Sequence, residues 1–261
     1  MSDSKANTVQ IDAKGVYYRD LNVSVREAIA RGAARVELLN VNGQRYIADG
    51  LDGTVNIEVH GVPGNDLGAF MNGATVTVHG NAQDAVANTM NAGKIVVHGS
   101  AGDVLGYGMR GGKLFVRGNV GYRVGIHMKG YKRQIPVIVA GGCAGDFLGE
   151  YMAGGIVIVL GLDSQKANPA LPDAGSAPVA GDYIGTGMHG GTIYLGDEID
   201  PRKFGREVGI TPVEEMDQRL LEELLEEFAA DLELDRDEVL SRTFTKLTPQ
   251  SHRPYGKMYS Y

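Results

Sequence analysis

Histidines that recur at a fixed interval are the first residues of this sequence that could do chemistry. His60, His79 and His98 lie nineteen residues apart, and Arg117 takes the next equivalent position. Imidazole is a common metal ligand, so three at one interval raise the possibility of a metal site. Equal spacing, however, predicts side chains that stack in parallel, whereas a tetrahedral metal needs ligands that converge. We interpret the histidines as a structural or solvent-facing ladder.

Two glycine-rich segments match the pattern G-x-G-x-x-G, which is typical of dinucleotide sites. Residues 106–111 read GYGMRG, and residues 185–190 read GTGMHG. The dinucleotide fingerprint needs a strand before it and a helix after it, because the pyrophosphate binds at the helix N-terminus. Here each match leads into a run of β-forming residues, so we interpret both segments as turns of a repeat.

A serine and a cysteine are the candidate nucleophiles. Ser100, in the sequence HGSAG, is the nearest approach to a G-x-S-x-G elbow, but nothing predicts the strand-to-helix turn that exposes such a serine. Cys143 is the only cysteine, and we align it with small residues of neighbouring units, namely Ala82, Ala101 and Val120. The sequence therefore predicts no catalytic, cofactor-binding or metal-binding residue.

The element that must position all these residues is a repeat of nineteen residues. Gly61, Gly80, Gly99 and Gly118 mark one column of the repeat, and later units begin at Gly141 and Gly181. Each unit ends in a short β-branched run bounded by glycine, which is a strand signal. Nineteen residues leave no room for a strand and a covering helix, so the chain must coil back once per unit. We predict an all-β fold, a right-handed parallel β-helix of about seven turns.

The columns of the repeat then have structural roles. We expect two columns to point inward: the methionines Met71, Met90, Met109, Met128, Met152 and Met188, and the aliphatic residues Leu67, Val86, Leu105, Val124, Leu148 and Ile184. A flexible thioether fills irregular gaps between rungs. The column of Asn65, Asp84, Asp103, Asp146 and Asp182 is expected to accept hydrogen bonds from turn N–H groups.

The flanking segments divide the chain into three predicted parts. Residues 1–37 contain a strand at Val9–Asp12 and a capping helix at Asn22–Arg31; residues 38–196 form the β-helix; residues 197–261 form a helical extension and tail. A capping-box spacing at Thr211–Glu214 predicts the start of a helix that reaches about Ala230, followed by a short helix at Asp235–Ser241. Residues 163–178 are predicted to be a surface loop.

The apolar stripe of the longer C-terminal helix comprises Met216, Leu220, Leu221, Leu224, Leu225 and Phe228. We expect it to pack on the β-helix, with a partner-docking arm as the alternative. The helices that flank the repeat are placed to cover its two open ends, since exposed edge strands invite pairing. Self-association into a homo-oligomer stays a possibility.

Composition limits the class of function. The chain has 261 residues, 43% of them hydrophobic, and a net charge of −7. An acidic chain without a basic cluster argues against a nucleic-acid partner. No apolar run is long enough to span a membrane, and the polar start MSDSKANT does not resemble a signal peptide. We therefore expect a cytoplasmic protein.

The succession of units resembles a known family. The lead-in LNVNGQRY at residues 39–46 and units such as GSAGDVLGYGMRGGKLFVRG at residues 99–118 are similar to the GXGXG domain of glutamate synthase, the β-helical C-terminal part of its large subunit. The resemblance covers roughly residues 38–196. It implies a free-standing β-helical subunit of a split enzyme. Similar β-helices occur in one subunit of formylmethanofuran dehydrogenase, in the formyltransferase/hydrolase complex and in N-methylglutamate synthase.

The resemblance implies partners rather than a catalytic site. In glutamate synthase a glutamine amidotransferase part releases ammonia, and an FMN and iron–sulfur part makes glutamate from 2-oxoglutarate. The expected partners are thus amidotransferase and FMN-binding subunits, with FMN and the iron–sulfur cluster held there and no cofactor in this chain. Some free-standing relatives carry an esterase label, which the lack of a recognisable elbow or triad disfavours.

Overall fold

The computed structural model describes residues 7–162 and 178–250. In chain order its elements are strand β1 (Thr8–Asp12), helix α1 (Tyr18–Ala30), β2 (Arg35–Asn42), β3 (Asn56–Val62), β4 (Asn72–His79), β5 (Ala92–Val97), β6 (Lys113–Val116), β7 (Val137–Ala140), β8 (Ala153–Val159), β9 (Gly190–Leu195), a 3₁₀ turn (Pro201–Lys203), β10 (Val208–Thr211), α2 (Glu215–Asp231), α3 (Arg236–Leu240) and β11 (Thr245–Pro249). Most of the predicted loop at 163–178 lies outside the described residues.

One sheet contains every strand of the described residues, in the order β1 to β9, then β11 and β10. The first nine strands pair in parallel with their sequence neighbours. The predicted parallel β-helix is confirmed. It has about six turns, slightly fewer than the seven predicted.

The interior of the solenoid holds the two predicted inward columns. All six methionines of the repeat are fully buried, and the aliphatic column from Leu67 to Ile184 is buried beside them. The strands add their alternate side chains, such as Leu114 and Ile138, to the same core. Stacked rungs therefore bury one continuous apolar column, which removes apolar surface from water along the whole repeat.

Glycine is required where the coil turns against its neighbours. Gly106 has a φ of +64°, and a Cβ there would lie 2.4 Å from Cδ1 of Ile138. A Cβ on Gly111 would lie 2.3 Å from the carbonyl oxygen of Asn91 on the preceding rung. Both distances are far below ordinary contact, so neither position has room for a side chain. The left-handed φ of Gly106 is a second reason for glycine there.

The N-terminal end of the solenoid is closed by α1. Its buried side chains Leu21, Val25 and Ala28 join the interior core. The helix begins at Tyr18, four residues before the predicted Asn22, since the first turn has no side-chain cap to mark it in the sequence. The helix that we predict to cap the repeat thus packs against the interior core.

The C-terminal end is closed in a different way from the prediction. We expected helices to cover it, but β11 pairs antiparallel with β9, and β10 pairs antiparallel with β11. Leu247 of β11 is fully buried in the interior core, and Phe204 packs against that core. A strand satisfies the open N–H and C=O groups of the last rung, which a helix cannot do.

Helix α2 lies on the flank of the solenoid. Leu221, Leu224, Leu225 and Phe228 form a second apolar cluster with outward-facing strand residues, among them Val96, Phe115, Val139, Ile158 and Tyr194. The predicted packing of the stripe on the chain's own β-helix is confirmed, except that Met216 is 83% exposed. The cap prediction was wrong by one turn: Glu214 and Asp217 form the capping box, and Thr211 belongs to β10.

Ion pairs fix the acidic helix to basic side chains of the strands. Lys94 of β5 contacts Glu227 at 3.3 Å and Asp231 at 2.6 Å, and Lys113 of β6 contacts Glu227 as well. Partial burial acts to raise the pKa of Glu227, but Lys113 and Lys94 outweigh it and hold this pKa below its usual value. The helix is thus held in register by charge as well as by apolar contact.

Replacing Glu227 with glutamine should weaken α2 docking at neutral pH. Because the pKa of Glu227 is lowered in the folded chain, this carboxylate stabilises the fold at pH values above its unfolded pKa of about 4.3. The contribution is lost as the pH falls through the folded pKa. We expect E227Q to lower the unfolding free energy by a few tenths to about 1 kcal/mol at pH 7, and the difference to shrink in acid.

The measurement is urea unfolding at several pH values. Glu223 is exposed on the same helix and forms no ion pair among the described residues, so E223Q is the matched control. Equal stability of E227Q and E223Q at pH 7 would contradict the role assigned to the ion pairs.

Candidate functional site

Both G-x-G-x-x-G segments lie at the corners of the solenoid. At the first corner, Gly106 and Gly108 of the segment and Val104 just before it adopt left-handed conformation, with φ values of 64°, 57° and 53°. The same conformation recurs around the coil, and the segments lead into strands β6 and β9. The corners turn side chains alternately inward and outward, so Leu105 and Met109 are buried while Tyr107 is exposed.

The histidine ladder forms as predicted. The rings of His60 and His79 stack with centroids 4.6 Å apart, and those of His79 and His98 with centroids 5.3 Å apart. Nε2 of His79 lies 2.7 Å from a carboxylate oxygen of Glu58. Parallel rings do not converge on a point, and the described residues contain no group of three or more side chains placed to hold a metal ion.

Ser100 belongs to a hydrogen-bond ladder between rungs. Its backbone N–H donates to Oδ1 of Asn81 at 2.9 Å, and its own Oγ accepts from the backbone N–H of Asn119 at 3.1 Å. Oδ1 of Asn119 accepts in turn from the N–H of Cys143 at 2.8 Å. The hydroxyl oxygen that would have to attack a substrate is therefore used to join two coils.

The position of Cys143 in the repeat differs from our alignment. The small column of Ala82, Ala101 and Val120 continues at Ala144. The backbone N–H of Ala144 donates to the carbonyl oxygen of Val179 on the next rung. The pair Gly141-Gly142 adds one residue to this unit, so Cys143 falls in the polar ladder instead, where it is partly exposed.

The aspartate column joins rungs in the same manner. Oδ1 of Asp84 accepts from the N–H of Asp103 at 2.9 Å, Oδ1 of Asp103 accepts from Tyr122 at 2.8 Å, and Oδ1 of Asp146 accepts from Asp182 at 2.8 Å. The predicted hydrogen bonds to turn N–H groups are confirmed at these positions, and each donor lies on the following rung. A carboxylate bond to a backbone N–H is a strong, charge-assisted one.

A groove on the outer side of the corners was missed from the sequence. Its volume is about 420 Å³. One wall carries Thr89, His127 and Tyr151, from the residues that precede the methionines, and the other carries Arg110, Lys129 and His189, from the residues that follow them. Aligning the units on their methionines would have placed these side chains side by side. We call this the cationic groove.

Aromatic rings, four of them exposed and that of Phe147 half-buried, lie on the corners near the groove. The rings of His127 and Tyr151 stack at 5.4 Å, and those of Phe147 and Tyr183 at 4.9 Å, with the guanidinium of Arg123 4.8 Å from the ring of Phe147. Phe70 and Tyr107 are also exposed here. We call the set Phe70, Tyr107, Phe147, Tyr151 and Tyr183 the aromatic corner.

Comparison with known proteins places this arrangement in a family. The profile of the GXGXG motif family matches residues 20–252. An uncharacterized protein of Methanocaldococcus jannaschii, MJ1350, is 49% identical over 258 residues, which cover 97% of this chain and 96% of that protein. Among the described residues, no helix is both long and apolar enough to cross a membrane.

Ser100→Ala should reduce stability without removing a reactive group. Loss of the Oγ acceptor leaves the Asn119 N–H without its partner, which costs about 1 kcal/mol. Urea unfolding measures this effect, with Ser24→Ala as control because the Ser24 hydroxyl bonds within its own helix. A serine-directed fluorophosphonate should leave Ser100 unlabelled in the wild-type chain, and labelling there would contradict the ladder role.

His98 should titrate below its ordinary value of 6.5 in an NMR experiment. Burial is the largest cause of the lowered pKa, and the charges of His79 and Arg117 lower it further. The charges of Glu233 and Glu58 act to raise the pKa. Because the folded pKa is lowered, the stability that neutral His98 supplies is lost as the pH falls through it. His98→Gln should therefore reduce the loss of unfolding free energy between pH 7.5 and 5. A measured pKa of His98 at or above 6.5 in the wild-type chain would contradict the burial of its ring.

Proposed function

This chain belongs to the GXGXG motif family, and we propose that it is a β-helical scaffold subunit of a glutamate-synthase-type complex. In this role it spaces a glutamine amidotransferase subunit from an FMN-binding synthase subunit. The observation that carries the proposal is the use of the polar side chains of the repeat: Asn81, Ser100, Asp84 and Asp103 bond the backbone of adjacent rungs. Such side chains build a rigid spacer.

The cofactors of the complex are assigned to the partner subunits. An iron–sulfur cluster of the common types needs four cysteine thiolates, and this chain has one cysteine. The glycine-rich corners lead into strands, so they lack the helix N-terminus at which a Rossmann-type site holds phosphates. Neither feature fits resident FMN or a resident cluster, which favours a scaffold role for the chain.

The aromatic corner is the surface that we propose for partner docking. Aromatic side chains are enriched in protein interfaces, since they bury large areas at low entropic cost. Tyr151 is 43% exposed and Tyr183 is 57% exposed, and both rings are already held by stacking on His127 and Phe147. Rings fixed before binding lose little freedom when a partner covers them.

Affinity purification of the tagged full-length chain from its native source tests the proposal. Quantitative mass spectrometry should recover an amidotransferase and an FMN-binding synthase chain in constant ratio. A variant with Tyr151→Ala and Tyr183→Ala should lower this recovery about tenfold, as expected for lost interface anchors. Met216→Ala, which removes an exposed apolar side chain from α2, is the matched control and should bind normally.

Other outcomes discriminate between the alternatives. Recovery of a metal-dependent amidohydrolase subunit instead would overturn the assignment in favour of the β-helical subunit of a formylmethanofuran-type complex. Recovery of neither kind of partner, together with substrate turnover by the purified chain alone, would overturn the scaffold role itself.

A further inference from the structure

The cationic groove brings two basic side chains together on an acidic protein. Arg110 and Lys129 each follow a buried methionine of the repeat, on successive rungs, so their backbone attachments lie about 4.8 Å apart. The whole chain has a net charge of −7, and α2 carries an acidic face. The groove is therefore more positively charged than the rest of this acidic protein.

Neither cation is neutralised within the part of the chain that the structure describes. The guanidinium of Arg110 lies 3.5 Å from the amide oxygen of Asn91, and no carboxylate there forms an ion pair with Arg110 or with Lys129. By contrast, Lys94 and Lys113 of the strands are both bound to carboxylates of α2. The charges of both groove cations are therefore available to an external anion.

The repeat changes its length at this groove. Earlier units keep the nineteen-residue period, whereas the unit from Gly118 to Ala140 is longer, and its extra residues form a turn that starts just after Lys129. Tyr131 and Gln134 close the turn through paired backbone hydrogen bonds, and it carries Lys132 and Arg133. The longer unit thus adds two basic residues to the chain three and four positions after Lys129.

The groove is large enough for a small ligand. Gly108 and Ala153 keep the space between the walls open, and the volume of about 420 Å³ lies within the range of small-molecule sites. His127, held by the rings of Tyr107 and Tyr151, adds a rigid imidazole to one wall, and His189 adds a second to the other. Arginine binds carboxylate and phosphate through paired N–H donors.

We propose that the cationic groove is a binding site for a small molecule that carries a multivalent oxyanion, held between Arg110 and Lys129. Phosphate esters and polycarboxylates share this chemistry. The site goes beyond the scaffold role, since it is complete within this chain and needs no partner subunit.

Isothermal titration calorimetry on the isolated full-length chain tests the site, with inorganic phosphate and citrate as the two probes at low ionic strength. We expect saturable binding of at least one probe with one site per chain. The double variant Arg110→Gln/Lys129→Gln should weaken binding about tenfold or more, because it removes charge-assisted hydrogen bonds. Tighter binding of phosphate would identify a phosphate ester as the ligand class, and tighter binding of citrate a polycarboxylate.

The control is the double variant Lys14→Gln/Arg117→Gln, which makes the same change in net charge outside the groove. It should leave the affinity within about twofold, and circular dichroism should show both variants folded. Equal weakening in the two double variants would show general charge attraction and overturn the proposal, as would the absence of binding of both probes to the wild-type chain. Because no partner is present, these outcomes are independent of the scaffold experiment.

Discussion

Every coil of this solenoid must join its backbone hydrogen-bonding groups to the coils on either side, through the corners as well as through the strands. Strands do this by parallel pairing, but a corner turns some N–H groups out of register with any carbonyl. The carboxylates of Asp84, Asp103 and Asp146 supply the missing acceptors, each to the following rung. Each such hydrogen bond contributes about 0.5–1.5 kcal/mol to stability. The same requirement commits Ser100 to structure, so this candidate nucleophile is explained by backbone pairing.

Different elements cover the two ends and the flank of the solenoid. At one end α1 inserts apolar side chains into the open core, and at the other β11 continues the sheet in the antiparallel sense. On the flank, strands β5 to β9 carry apolar residues on both faces, since Val96, Phe115 and Ile158 point away from the interior. Helix α2 covers them and is fixed by Lys94 and Lys113. The aromatic corner and the cationic groove include no residue of the apolar cluster under α2.

The repeat could be predicted from the sequence because each column has one physical requirement in every unit. Buried methionine, corner glycine and acceptor aspartate recur for that reason, and the histidine ladder follows from the same period. The ends could not be predicted so well: β10 and β11 occur once, and Glu214 rather than Thr211 caps α2. The register of Cys143 was wrong because one added glycine moved it to the neighbouring column. The groove was missed since Arg110 and Lys129 occupy a column that holds Asn72 and Asn91 in earlier units, so their position carries no repeated signal.

The rung ladders describe a solenoid whose polar repeat residues are committed to its own backbone. Native-state hydrogen exchange followed by NMR tests that claim most directly, at the amides of Asp103 and Tyr122, which donate to the carboxylates of Asp84 and Asp103. The account predicts that these corner amides exchange as slowly as the strand amides of β6, because opening either breaks the same cooperative stack. Corner amides that exchange orders of magnitude faster than the strands would contradict it, since the aspartates would then be free of the backbone they are held to bind.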